Sequence, residues 1–304
     1  MYRVSCPIGV LLIVFEARPE VVVQISCLAI KSGNAVILKG GKEASYSNTI
    51  LNEAIQYALQ SYISPDSSSS PRIPPTSVQL VSTRDEIATL LSLDDQIDLV
   101  IPRGSNQLVK YIQGATRIPV LGHADGICSV FVDSSASLIK TIRIVVDAKI
   151  NYPAACNSAE TLLVHRSVLD SHLPSLAKSL ETAQVIMHCD PDSLRIVLKA
   201  GISGKFALPA QTSDFKQEWL SHDISVKVVE SLEEAIQHIN THGSGHTESI
   251  ITESIAHAEQ FMAKVDSAGV YHNASTRFAD GYRYGFGAEV GVRLRQYVFA
   301  PPCN

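Results

Sequence analysis

Of the six cysteines in the 304 residues, Cys156 has the setting in which a thiol could do chemistry. It lies in Asn151-Tyr-Pro-Ala-Ala-Cys-Asn157, a turn of small residues that leads towards an apolar strand. A thiol in such a turn can meet backbone N–H dipoles, which lower its pKa and stabilise an oxyanion forming beside it. The competing reading is that a cysteine is most often a small buried hydrophobe. Cys6, Cys27 and Cys128 fall in or beside apolar strands or helices, where packing is the simpler account. Cys189 and Cys303 sit in irregular polar or terminal stretches with no visible partner.

Charged groups gather in a few short motifs. Lys39-Gly-Gly-Lys-Glu43 sets two cations around Gly40 and Gly41, so that backbone can approach a phosphate while Lys39 and Lys42 neutralise it. The motif is neither a Walker sequence nor the GxGxxG fingerprint, and a solvated turn would look the same. In Pro102-Arg-Gly-Ser-Asn106, Arg103 could fork onto a phosphate beside Gly104 and Ser105 or ion-pair at the surface. Gly122-His-Ala-Asp-Gly126 offers His123 and Asp125, although a turn-forming aspartate and a satisfied histidine would have the same pattern. Between Asn273 and Glu289, arginines, aromatics and acids alternate with glycine and alanine. Arg277 could grip a carboxylate or phosphate there, in a ligand-enclosing loop or in an ordinary surface loop.

These groups need elements to position them. The apolar run Pro7 to Glu16 has no alternation and is bounded by Pro7 and Pro19, as a strand buried on both faces would be. A second run, Asn34 to Lys39, follows a helix-length segment, so the right-handed crossover rule makes the two strands parallel. Ser77 to Ser82 and Ile97 to Ile101 repeat the pattern around a helical Arg84 to Leu91. The class is therefore α/β, with an open parallel sheet. Such sheets bind ligands at the carboxyl ends of their strands, where Glu16-Ala-Arg-Pro19, the Lys39 motif and the Arg103 motif all fall. The proline- and serine-rich stretch Ser64 to Thr76 is a surface loop. Composition changes near Asn151 to Pro153, after which strand-like Thr161 to His165 and the amphipathic Leu232 to Ile239 indicate a second α/β domain. The layout expected is 1–150, 151–290 and a divergent tail, 291–304.

A chain 45% hydrophobic and 18% charged can bury a substantial core, which excludes a disordered or fibrous product. The net charge of −5 with scattered basic residues gives no footprint for nucleic acid or an anionic membrane, so the partner expected is a small-molecule substrate. No CxxC pair and no Cys/His metal spacing occurs, and no metal is expected. Nothing at the N-terminus resembles a secretory signal, and Ile8 to Ala17 is too short to span a bilayer. A reducing cytoplasm with free thiols fits this pattern.

In their order along the chain, the motifs resemble the γ-glutamyl phosphate reductases of the aldehyde dehydrogenase superfamily, nearly continuously from Pro7 to about Gly291. The most specific pieces are Phe15 to Pro19, Leu38 to Glu43, Val100 to Ser105, Val120 to Gly126, Asn151 to Asn157, His238 to His246 and Asn273 to Glu289. The resemblance implies an aldehyde dehydrogenase-like fold, with an open parallel-sheet cofactor domain and an α/β catalytic domain. It implies NADPH as reductant, with Lys39, Gly40, Gly41, Lys42 and Glu43 near the adenosine ribose and its 2′-phosphate and with Arg103, Gly104 and Ser105 beside the cofactor. Cys156 is then the nucleophile and Asn151, five residues earlier, a catalytic companion. Asn157, His123 and Arg277 are expected to bind substrate.

The implied reaction is reduction of L-glutamyl 5-phosphate to L-glutamate 5-semialdehyde and phosphate, in proline biosynthesis downstream of a glutamate 5-kinase activity, by a homo-oligomer. Hydrolytic relatives activate water with a glutamate, and the related stretch here, Val120 to Gly126, has none. The family also implies a helical segment before Pro7 and a tail after Gly291 that Val292 to Asn304 does not resemble, so a truncated chain is expected. The alternative is an inactive truncated product, at most an interaction partner of a full-length copy.

Overall fold

A computed structural model of the protein describes residues 6–61, 73–81, 85–122 and 125–285. These residues form two compact units that divide between Ala124 and Asp125.

The first unit holds β1 (Val10–Phe15), α1 (Glu20–Ser32), β2 (Ala35–Lys39), α2 (Ser45–Ser61), β3 (Val78–Val81), α3 (Asp85–Leu90), β4 (Leu99–Arg103) and α4 (Asn106–Ala115). Its strands are parallel, in the order β3-β2-β1-β4. β1 is apolar at every position because both of its faces are covered. Ile13 and Phe15 pack with Val22 and Leu38, whereas Leu12 and Val14 pack on the other side with Val100 and Ile112. α1 ends at Gly33, whose φ of 76° is left-handed and returns its N–H to Ala29 O and Ile30 O before the chain enters β2. The expected strands and helix are found within a few residues of their predicted bounds. Most of the Ser64 to Thr76 loop lies outside the described residues.

The second unit comprises β5 (Cys128–Val132), α5 (Leu138–Ile150), β6 (Ala159–His165), α6 (Leu169–Thr182), β7 (Ile186–Cys189), α7 (Pro191–Lys199), β8 (Ala207–Pro209), β9 (Asp223–Val229), α8 (Leu232–His242), β10 (Thr247–Ile251), α9 (Ile255–Lys264) and β11 (Gly269–His272). Its seven strands are all parallel, in the order β11-β10-β5-β6-β9-β7-β8. α5, α6 and α7 cover one face through Val145, Leu173, Leu176 and Val197. α8 and α9 cover the other through Leu232, Ile236, Ile239 and Phe261.

The division near residue 125 replaces the one expected near 150. β5 pairs with β6 and β10, and α5 packs against the sheet they form, so both belong with the second unit although they precede the composition change.

Candidate active site

The Cys156 loop joins α5 to β6, and its two ends are fastened to each other. Lys149 on α5 and Glu160 on β6 form an ion pair of 2.7 Å with both side chains fully buried. Burial pushes the Glu160 carboxyl up to about 7 against the opposing pull of Lys149, and the same burial lowers Lys149. The Ser158 hydroxyl donates back to Ala148 O (3.2 Å) and Lys149 O (3.3 Å), and Leu220 N–H donates to Glu160 Oε1 at 3.3 Å. Inside the loop, Tyr152 takes a positive φ of 65°. Two tight turns follow, Ala155 N–H to Tyr152 O (3.0 Å) and Ser158 N–H to Ala155 O (2.9 Å), and carry Cys156 between them.

The half-buried Cys156 Sγ lies 3.2 Å from His246 Nε2. His246 precedes β10 and is fully buried, with Nδ1 2.8 Å from Thr247 Oγ1. In the tautomer whose Nδ1–H donates to the Thr247 hydroxyl, Nε2 is an acceptor for the thiol proton. Sequence reasoning missed this histidine. The two residues are separated by 90 positions, and nothing in the His238 to His246 stretch distinguishes His246 from its neighbours.

The other described cysteines have no such setting, and Cys303 lies outside the described residues. Burial, then Glu248 and Cys156, keeps the Cys128 thiol protonated, and it donates to Cys156 O at 3.3 Å. Burial pushes Cys189 up to about 12. Cys189 closes β7 inside the core rather than in an irregular stretch, whereas Cys6 and Cys27 are exposed rather than packed. On α1 the buried positions are Val21, Val22, Ile25, Ser26 and Ala29, which leaves Cys27 on the outer face.

Arg277, on the short turn Thr276–Phe278, reaches both ends of the cysteine loop. Its Nε donates to Asn151 O at 2.5 Å and its guanidinium also donates to Asn157 Oδ1. Asn157, itself buried, donates from Nδ2 to Ala279 O at 2.8 Å. Burial and then Arg283 lower the Arg277 pKa, while Cys156, Asp147 and Asp280 pull the other way. A Cys156 thiolate is therefore stabilised by this guanidinium. Asn151 enters the site through its main chain, because its side-chain amide donates to Asp147 Oδ1 at 3.1 Å. Gly126 makes room for the loop, since a Cβ there would sit 2.1 Å from Cys156 O. His123 lies outside the described residues.

In the first unit the motifs at the carboxyl ends of β1, β2 and β4 converge. Ser105 N–H donates to Glu16 Oε2 at 3.0 Å, and Ser105 caps α4 by accepting from Leu108 N–H (3.4 Å). Ala17, at a φ of 49°, donates its N–H to Glu43 Oε1 at 2.6 Å. Backbone hydrogen bonds from Glu43 itself and from Ala17 hold the Glu43 carboxyl below its usual range. Lys39 is turned inward, with Nζ donating to Gly40 O at 2.5 Å, and Lys42 is exposed. A Cβ at Gly40 would fall 2.2 Å from Asn48 Nδ2, and one at Gly104 2.5 Å from Glu16 Oε2. Asn48 is buried and its Oδ1 has no hydrogen-bond partner among the described residues. Bare backbone and an unsatisfied buried oxygen at the carboxyl edge of a parallel sheet suit a polar ligand such as a dinucleotide.

A parallel α/β sheet whose strand-leading loop presents a thiol to an imidazole defines the class, and the family comparison agrees: the aldehyde dehydrogenase family model matches residues 2–194 and 215–288. The chain belongs to the aldehyde dehydrogenase family, and its fold is of that type. Its curated relatives are more particular. It is 54% identical over 290 residues to the gamma-glutamyl phosphate reductase of a Picosynechococcus species, covering 95% of this chain and 64% of that protein. It is 50% identical over 292 residues to a probable gamma-glutamyl phosphate reductase of Schizosaccharomyces pombe, covering 96% and 63%. The chain thus spans just under two thirds of the length of these relatives. The crystal structure of gamma-glutamyl phosphate reductase from Thermotoga maritima superposes with a TM-score of 0.88 at 37% identity, over 96% of this chain and 67% of that one. Lactaldehyde dehydrogenase, at 17% identity and a TM-score of 0.63, shares the fold.

Proposed function

We propose that the protein is a reductase of the kind its relatives are named for, converting L-glutamyl 5-phosphate to L-glutamate 5-semialdehyde and phosphate through a thioester on Cys156. The 3.2 Å contact of Cys156 Sγ with His246 Nε2 carries this reading, because it joins a nucleophile to a proton acceptor in a loop fixed at both ends. His246 accepts the thiol proton and Arg277 stabilises the thiolate. The sulfur attacks the acyl carbon, the carbon–oxygen bond to phosphate breaks, and phosphate leaves with the bonding pair. The Cys156 main-chain N–H would stabilise the oxyanion of each tetrahedral stage. NADPH, when bound, supplies the hydride that reduces the thioester, and the carbon–sulfur bond then breaks to return the thiolate and release the aldehyde.

Gly40, Gly41 and Gly104 would let the cofactor's phosphates approach the backbone, with Lys42, Lys39, Glu43, Arg103 and Ser105 around them and the 2′-phosphate favouring the lysines. Asn157 and Arg277 would hold the substrate's charged end after exchanging their mutual hydrogen bond for it. No glutamate in Val120 to Gly126 is available to activate water, which favours phosphate as the acyl partner. The same reading places the protein in cytoplasmic proline biosynthesis, as a homo-oligomer fed by a glutamate 5-kinase activity.

The test is NADPH formation from glutamate semialdehyde and NADP⁺, with and without phosphate, in the intact chain and in Cys156→Ala. Phosphate-dependent turnover that disappears in the variant is expected. Absence of turnover in the unmodified chain sinks the proposal for these 304 residues.

A further inference from the structure

The second unit has a cavity on the α8 face of its sheet, lined by none of the residues of the Cys156 site. The catalytic loop enters β6, and Cys128 and His246 stand at the starts of β5 and β10, so the thiol site occupies the amino edge of the strands. At the carboxyl edge, the adjacent strands β7 and β9 send their chains to opposite faces, β7 into α7 on one side and β9 into α8 on the other. Such a switch point opens a crevice, and it is where parallel α/β sheets bind ligands. The junction of β5 with β10 is also of this kind, and there the protein fills the crevice itself. Thr252 Oγ1 donates to Asp133 Oδ2 at 2.6 Å, and His257 Nδ1 lies 2.9 Å from the same oxygen.

Beside β7 and β9 the crevice stays open, with a volume of about 350 Å³, and runs from Asp190 at the carboxyl edge along the sheet face to His242 at the last turn of α8. Lys227, His238 and His242 line it together with Phe215 and Asp190. His238 is only 7% exposed, yet its Nε2 has no hydrogen-bond partner among the described residues, and neither has His242 Nδ1. An unsatisfied buried ring nitrogen is costly unless something else occupies it. The Phe215 ring meets His238 edge-on at 5.6 Å, and the two imidazoles lie 4.5 Å apart.

We propose that this cavity binds a small anionic metabolite through a carboxylate or phosphate group, with Lys227 supplying charge and His238 and His242 supplying N–H donors. The sign of the local potential selects an anion over a metal cation. Burial, then His242 and Lys227, holds His238 down at about 3, and burial, Lys216 and Lys227 lower His242. The same cations would repel a metal ion. Of the acidic groups present, Asp190 is occupied in accepting from Ser193 N–H, Ser193 Oγ and Val228 N–H at 2.6–2.8 Å. Glu234 pairs loosely with Lys227 at 3.4 Å, a contact that an incoming anion can replace. Both imidazoles, held below the usual histidine range, act as neutral N–H donors, and Lys227 carries the charge that attracts the anion.

Titration calorimetry of the intact chain with inorganic phosphate and, separately, with succinate tests this. One of the two should bind, and at least about tenfold more weakly in Lys227→Met and in His242→Gln, as loss of a charge-assisted hydrogen bond requires. The Cys156→Ala variant should bind as the unmodified chain does. Phosphate-only binding assigns phosphomonoesters, and succinate-only binding assigns carboxylates. Because His238 is buried and its replacement could unfold the unit, its involvement is read from the imidazole nitrogen resonances of the unmodified protein, which should shift on binding. Failure of both anions to bind, or binding that ignores both substitutions and leaves those resonances still, overturns the site.

Discussion

An ordinary thiol is mostly protonated at neutral pH, so the reactivity of Cys156 depends on what lies within hydrogen-bond reach of its sulfur. His246 Nε2 at 3.2 Å and the Arg277 guanidinium together favour the thiolate, one by taking the proton and the other by its charge. Replacing His246 with Gln keeps a polar side chain of similar length and removes the base. Thioester formation should slow by about 10²-fold or more, and alkylation of Cys156 by iodoacetamide should need a more alkaline pH. An unchanged alkylation profile, with the variant folded, would make His246 a packing residue. Cys156 stood out as a candidate from its small-residue turn and the family resemblance, whereas His246 did not, because a contact across two strands leaves no local spacing in the chain.

A loop that carries the proposed nucleophile must be held still, and the elements on either side of it do this through Lys149 and Glu160. Their ion pair is fully buried, so removing one partner strands a charge in the core. Lys149→Met should destabilise the chain by about 3–5 kcal/mol, measured by urea unfolding, whereas Lys149→Met combined with Glu160→Leu should recover much of that loss. Equal destabilisation by the single and double variants would show that the pair acts by more than charge compensation. At this scale the sequence was most readable in β1, where an unbroken apolar run means two covered faces. It was least readable at the domain boundary, because nothing in β5 and α5 alone says which sheet they join. That depends on pairing with β6 and β10, and the latter lies more than a hundred residues downstream.

For the chain as a whole, buried ionisable groups set how stability follows pH. Glu248 on β10 is fully buried, and burial pushes it up to about 8 despite the hydrogen bond from Ser129 N–H at 2.6 Å. Its folded pKa lies above the unfolded value, so its contribution is complete below the ordinary carboxylate pKa and is lost as pH rises through about 8. Glu160, at about 7, acts with the same sign. Asp133 acts with the opposite one: burial opposes its ionisation, but hydrogen bonds from Thr252 and His257 hold it at about 2, so its contribution is lost as pH falls through that value. His238, held at about 3, and His242 act against this below the ordinary histidine pKa, so the melting temperature should decline from about pH 6.5 to about pH 8, and Glu248→Gln should flatten the decline. A slope that the substitution leaves unaltered would mean that Glu248 ionises in the folded protein as it does in the unfolded chain.

The sequence by itself determined the α/β class, the parallel sheet of the first unit and the family, and it singled out Cys156 as the candidate nucleophile. Each of these rests on local apolar periodicity or on short contiguous motifs, which survive in one dimension. Only the tertiary structure decided that His246 faces Cys156, that Arg277 clasps both ends of its loop, that Lys39 turns inward, and that His238 and His242 line a cavity beside β7 and β9. Those are contacts between residues distant in sequence, fixed by strand order and by which face each crossover takes, and no spacing along the chain encodes them.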